Sequence, residues 1–181
     1  MDALLIVDLQ RASFATNDKH DQPATLARVD QLAHHVRTGG GSVIFVLHDG
    51  DETEDLVPNS EGWQLVPSVH RDPADHVVRK TLNDAFAGTT LAPLLDELAP
   101  DRLIICGWAT DLCVDSSVRS AVTRGYRVVV PSDAHTVTDR PHLAAAQVIA
   151  HHNWLWTNLI TPDEPVRVVP TANLISAPAR A

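Results

Sequence analysis

The chain has 181 residues and sets 14 Lys and Arg against 23 Asp and Glu, a net charge of −9, so it lacks the clustered cations of a phosphate-backbone binder. Its apolar content of 44%, with 8 glycines and 12 prolines, is that of a globular domain, and one of this size needs no disulfide or metal staple. Two cysteines make no secreted disulfide framework, and the opening run MDALLIVDLQ is too short to span a membrane and has no basic leader, so one cytoplasmic domain over 1–181, with no nucleic-acid or membrane partner, is expected.

Leu4-Leu5-Ile6-Val7 is a continuous apolar run that stops at Asp8, the pattern of a strand buried on both faces. Over 24–37, Leu26, Val29, Ala33 and Val36 recur at helical spacing, and Gly39-Gly40-Gly41 ends that helix. These glycines follow a helix and open a strand, the reverse of a phosphate-cradling loop. The strand they open covers 42–47. Residues 48–72 are the one long irregular stretch, rich in acids and holding Pro58, Pro67 and Gly62. A loop of that length usually has a function, here as a lid or an oligomer contact. His76-Val77-Val78 is a third strand leading to Lys80, and 90–98 is a helix with Pro93 in its first turn. Leu103-Ile104-Ile105-Cys106 is a fourth strand, closed by Gly107. Val114, Val118, Ala121 and Val122 mark a helix that Gly125 ends, before a fifth strand at 127–130 and a helix at 143–154. The sixth strand is expected at 166–169, with 157–160 as the alternative, and 176–181 as a frayed tail.

Strands alternating with helices throughout predict a single α/β domain: an open parallel sheet of about six strands, with helices on both faces. Function in such sheets gathers at the carboxyl ends of the strands, near a topological switch point. Asp8, His48 with Asp49, Lys80 and Cys113 all follow strands. Together, a carboxylate, an ammonium and a thiol have a chemical logic. The ammonium and a helix start would pull the thiol below its ordinary pKa of about 8.5, and the carboxylate could take its proton and return it to a leaving group. Taken singly, each has a plainer role: Asp8 as a capping or turn residue, Lys80 as a solvated lysine, Cys113 as a small core residue. Cys106, inside an apolar strand, is read as core.

Residues 3–10, ALLIVDLQ, resemble the opening strand of the isochorismatase-like cysteine hydrolases, the superfamily that includes nicotinamidases. Residues 80–91, KTLNDAFAGTTL, look like that family's lysine block, and 107–114, GWATDLCV, like its nucleophile block. The blocks stand in family order, and the likeness runs to about Ala172. The resemblance implies the isochorismatase-like hydrolase fold and a mechanism. Cys113 would attack a carbonyl carbon to give a thioester, Asp8 would serve as base and acid, and Lys80 would hold charge near both. It also implies a cis peptide between Trp108 and Ala109, which lets the N–H groups of Ala109 and Cys113 form an oxyanion hole. Isochorismatases proper lack this cysteine, so a small amide, such as a carbamoyl or ureido compound, is the expected substrate. Family members commonly assemble, so a homodimer or larger homo-oligomer is expected.

Nicotinamidases resembling this chain carry a metal after the second strand, held by an aspartate and histidines. The matching stretch here, with His48, Asp49 and Asp51, lacks the aspartate-x-histidine pattern, so neither metal nor cofactor is expected. Phe14, Trp63, Phe86, Trp108 and Leu112 are the candidate substrate-pocket walls. His135 is read as a turn residue, and the adjacent pairs His34-His35 and His151-His152 diverge on their helices. Two readings compete with the enzyme: a catalytically idle binding or structural relative, and a thiol sensor pairing Cys113 with Cys106.

Overall fold

The computed structural model describes residues 1–176; the tail expected at 176–181 lies, past Ser176, outside the described residues. Strands β1 (Asp2–Val7), β2 (Ser42–His48), β3 (His76–Lys80), β4 (Arg102–Trp108), β5 (Val128–Pro131), β6 (His135–Thr136) and β7 (Arg167–Val169) form one sheet. Its order is β3-β2-β1-β4-β5-β7, every pairing is parallel, and β6 pairs with β4 alone. Strand order reverses between β1 and β4, which makes the crevice at their carboxyl ends the expected place for chemistry.

The apolar runs work because successive side chains of a strand face opposite ways. Ala3, Leu5 and Val7 of β1 join one core, with Leu91 and Leu95 of α2 (Leu91–Leu98), Val118, Ala121 and Val122 of α3 (Asp115–Thr123), and Trp156 of α4 (Ala145–Thr157). Leu4 and Ile6 join the other, with Leu26, Val29, Leu32, Ala33 and Val36 of α1 (Gln22–Thr38) and Leu174 of α5 (Thr171–Ile175). Both faces of the sheet are therefore covered.

Two expectations change. Helix α4 starts two residues later than the apolar pattern implies and runs to Thr157. Asp139 Oδ1 and Gln147 Oε1 accept the N–H groups of Ala145 and Ala144 and so fix its start. The strand alternative at 157–160 thereby disappears, and β7 takes the place foreseen at 166–169. His135 lies in a strand rather than a turn, buried beside β4 in register with Gly107. The long segment after β2 packs against the rest of the domain. It buries Leu56, Val66 and Val69, and α1 holds it through a two-pronged Arg37–Asp75 pair and the Asp30 carboxylate on the His70 N–H.

Gly107 (φ 122°) has one structural reason to be glycine. A Cβ there would sit 2.2 Å from the Val7 carbonyl oxygen and 2.7 Å from the Val7 nitrogen. Any side chain would part β1 from β4 directly beneath Asp8.

Candidate active site

Asp8 leaves β1 in the left-handed region (φ 52°), which Asp tolerates better than most residues, while its N–H still extends the ladder to Val46 O at 2.9 Å. Lys80 is the last residue of β3, two strands away. Cys113 lies in a π-helical turn, Thr110–Val114, between β4 and α3. These three elements bring the expected trio together. Lys80 Nζ stands 2.7 Å from Asp8 Oδ2 and donates to Cys113 Sγ at 3.3 Å and to the Leu82 carbonyl at 3.1 Å. The Lys80 side chain is 0% exposed and that of Asp8 5%. Asp8 Oδ1 is buried and takes no hydrogen bond by strict geometry, although the Cys113 thiol lies near enough to bias the carboxylate.

The electrostatics correct one expectation. Burial, and then the Asp8 charge, outweigh the Lys80 ammonium and push the Cys113 thiol up to about 12. Burial likewise raises Asp8 against the pull of Lys80. The resting thiol therefore keeps its proton. Moving that proton to Asp8 leaves the pair with one negative charge beside one ammonium, so the step separates no new charge in a dry site.

The nucleophile turn is braced from several sides. The Trp108–Ala109 peptide is cis. The Ala109 carbonyl accepts the N–H groups of Leu112 and Val114, at 3.0 and 3.1 Å. Ser117 Oγ donates to the Cys113 carbonyl at 2.7 Å and accepts the Ala85 N–H at 3.1 Å, which joins the turn to the lysine block. Arg140 grips Asp111 with two bonds of 2.8 and 2.7 Å. Asn83 Oδ1 lies 3.7 Å from Cys113 Sγ. Gln10 staples β1 to the segment after β2 through both backbone groups of His48 and the Trp63 carbonyl. Sequence reasoning gave Gln10, Asn83, Ser117 and Arg140 no role; Gln10 and Asn83 stood inside family-like blocks, which was the available signal.

The expected pocket walls divide. Phe14 and Trp108 meet edge to face at 5.9 Å, with Lys19 Nζ within 5.7 Å of both rings. Leu112, beside the nucleophile, is 46% exposed. Trp63 is held at the β2–β3 edge by its Nε1 donation to Asp49 and by Arg79 over its ring. Phe86 lies in the core cluster against which Cys113 packs, its ring stacked on Tyr126 with Arg124 above it.

Of the candidate ligands at the end of β2 and just after it, both aspartates are committed to protein partners, while His48 Nδ1 is buried without one among the described residues. Asp49 is taken by Trp63 and by Arg79, at 2.7 Å from Arg79 Nη2, while Asp51 caps the turn at Thr53. Among the described residues, no three His, Cys, Asp or Glu side chains converge as ligands.

Burial lowers His135 to about 4. The unfolded chain binds a proton near pH 6.5 and the folded one does not, so stability is present above 6.5 and drains as pH falls towards 4. Between pH 7 and pH 5 this one ring is expected to remove about 2 kcal/mol. Urea unfolding at both pH values measures it; a His135→Asn protein showing the same acid loss as the wild type would refute the assignment.

Residues 2–158 match the isochorismatase domain family. The chain belongs to that family. It is 39% identical over 140 residues to a streptothricin hydrolase of Streptomyces noursei, covering 77% of this chain and 51% of that protein. The chain thus spans about half the length of the streptothricin hydrolases it matches. It is 26% identical over 169 residues to the ureidoacrylate amidohydrolase of Variovorax paradoxus, covering 73% of this chain and 67% of that one. A crystal structure of an isochorismatase family protein, 34% identical, superposes with a TM-score of 0.84 over 93% of this chain and 97% of its own. Family members with that likeness share the open parallel sheet described above.

Proposed function

We propose that this chain is a cysteine hydrolase that cleaves a small amide, of the carbamoyl or ureido kind, through a thioester on Cys113. The observation that carries the reading is a single buried ammonium, Lys80 Nζ, set 2.7 Å from Asp8 and 3.3 Å from the Cys113 sulfur. As Cys113 attacks the carbonyl carbon, its proton passes to the open Oδ1 of Asp8. The N–H groups of Ala109 and Cys113 receive the developing oxyanion, each worth about 2.7–4 kcal/mol of barrier where such donors have been removed. Asp8 then hands the proton to the departing nitrogen, and the amine leaves the thioester behind. Water, deprotonated by Asp8, completes hydrolysis and restores the thiol. Lys80 keeps the shared negative charge compensated throughout. The similarity to an amidohydrolase and a hydrolase by name supports the reaction class, and the cysteine disfavours vinyl-ether cleavage.

Ammonia or amine release from a panel of primary amides, carbamoyl and ureido compounds tests the reading. At least one member should turn over, and the rate should survive chelation, because Asp49 and Asp51 after β2 are committed to protein partners. Activity lost to chelator and restored by zinc, iron or manganese would replace this reading with a nicotinamidase-type one.

A further inference from the structure

His135 sits in β6, 1% exposed, beside the end of β4. Both ring nitrogens are engaged: Nδ1 lies 2.9 Å from Thr110 Oγ1, and Nε2 lies 3.0 Å from Asn153 Oδ1. Asn153 Nδ2 donates to the Ser132 carbonyl at 3.0 Å. A carbonyl only accepts, so Asn153 must turn its oxygen, another pure acceptor, to the imidazole. The neutral ring therefore carries its proton on Nε2, and Nδ1 accepts the Thr110 hydroxyl. The low basicity that burial imposes on His135 agrees with a neutral ring. Its edge also packs on Trp156 at 5.0 Å between centroids, and Trp156 Nε1 donates to Asp115 Oδ1 at 2.8 Å. Thr110 opens the turn that carries Cys113, and Asp115 is the first residue beyond it.

We propose that His135 is a positioning residue for acyl transfer: through Thr110 directly, and through Trp156 and Asp115, it clamps both ends of the nucleophile turn and holds the aim of the Ala109 and Cys113 N–H groups. It is no second base, because both nitrogens are already bound within the protein. The inference rests on the cysteine-hydrolase reading above for the step that the clamp serves.

Thr110→Val removes the hydroxyl at nearly constant volume, and Thr110→Ser keeps it. Two rates are compared: amide turnover, which builds an oxyanion, and alkylation of Cys113 by iodoacetamide, which does not. Thr110→Val is expected to lower kcat about 10- to 100-fold, with KM and the alkylation rate changed by less than about 3-fold, and Thr110→Ser to recover kcat. Nitrogen-15 NMR of wild-type His135 should find the proton on Nε2 at neutral pH. An unchanged kcat in Thr110→Val, a parallel fall of kcat and alkylation, or a proton on Nδ1 would overturn the clamp. A wild-type protein that alkylates rapidly but hydrolyses no amide would overturn the functional reading instead, and the tautomer would still decide the clamp.

Discussion

Cys113→Ala is expected to lower amide turnover by about 10⁴-fold or more, since losing a covalent nucleophile disables the whole catalytic unit. The fold should survive, because the change removes a single atom and leaves its neighbours Lys80, Asn83 and Asp8 in place. Cys113→Ser should be nearly as inactive. A hydroxyl gives up its proton far less readily than a thiol, and a carboxylate is a weak base for it. Steady-state rates on the amide that wild type cleaves, with circular dichroism as the folding check, measure both variants. Full activity in either one would remove Cys113 from the chemistry.

Lys80→Met should cost both activity and stability. The substitution keeps the side-chain volume but leaves Asp8 buried without its ion-pair partner, a loss typically worth about 3–5 kcal/mol. Asp8 can relieve that cost by binding a proton, since its folded pKa already lies above the ordinary carboxylate value and would rise further without the ammonium. The sign follows from that shift: the unfolded chains titrate alike, so the deficit is expected to grow as pH rises through the raised folded pKa of wild-type Asp8 and to shrink on acidification. Denaturant unfolding at pH 5 and pH 8 tests this. The ammonium also favours the thiolate, so the pH profile of Cys113 alkylation should move upward in the variant. An unchanged profile would contradict the contact between Lys80 and the thiol.

Asp8, Lys80 and Cys113 were legible because each follows a strand, Cys113 one turn further on, and a parallel sheet gathers strand ends on one edge. The two-core architecture was legible for a related reason: runs such as Leu4-Leu5-Ile6-Val7 leave no polar face for solvent. β6 was not, since two residues, His135 and Thr136, have no periodicity to read. Long-range side-chain partners were equally silent. Nothing near Ser117, Gln10 or Arg140 in sequence names Ala85, His48 or Asp111 as its partner. The thiol's basicity was misjudged because sequence reveals the presence of a lysine but not the depth of burial or the nearness of Asp8. The place of Phe86 in the lysine block says nothing of its stacking on Tyr126. The acid-rich composition of 48–72 marks a loop, yet the Arg37–Asp75 grip that docks it is visible only in three dimensions.

The most direct test of the proposed mechanism is the mass of the protein when turnover of an amide is quenched rapidly in acid. The expected result is an added acyl group on the peptide containing Cys113, released by hydroxylamine and absent from Cys113→Ala. Sustained turnover with no acyl group on that peptide, or with the group on another residue, would contradict a Cys113 thioester.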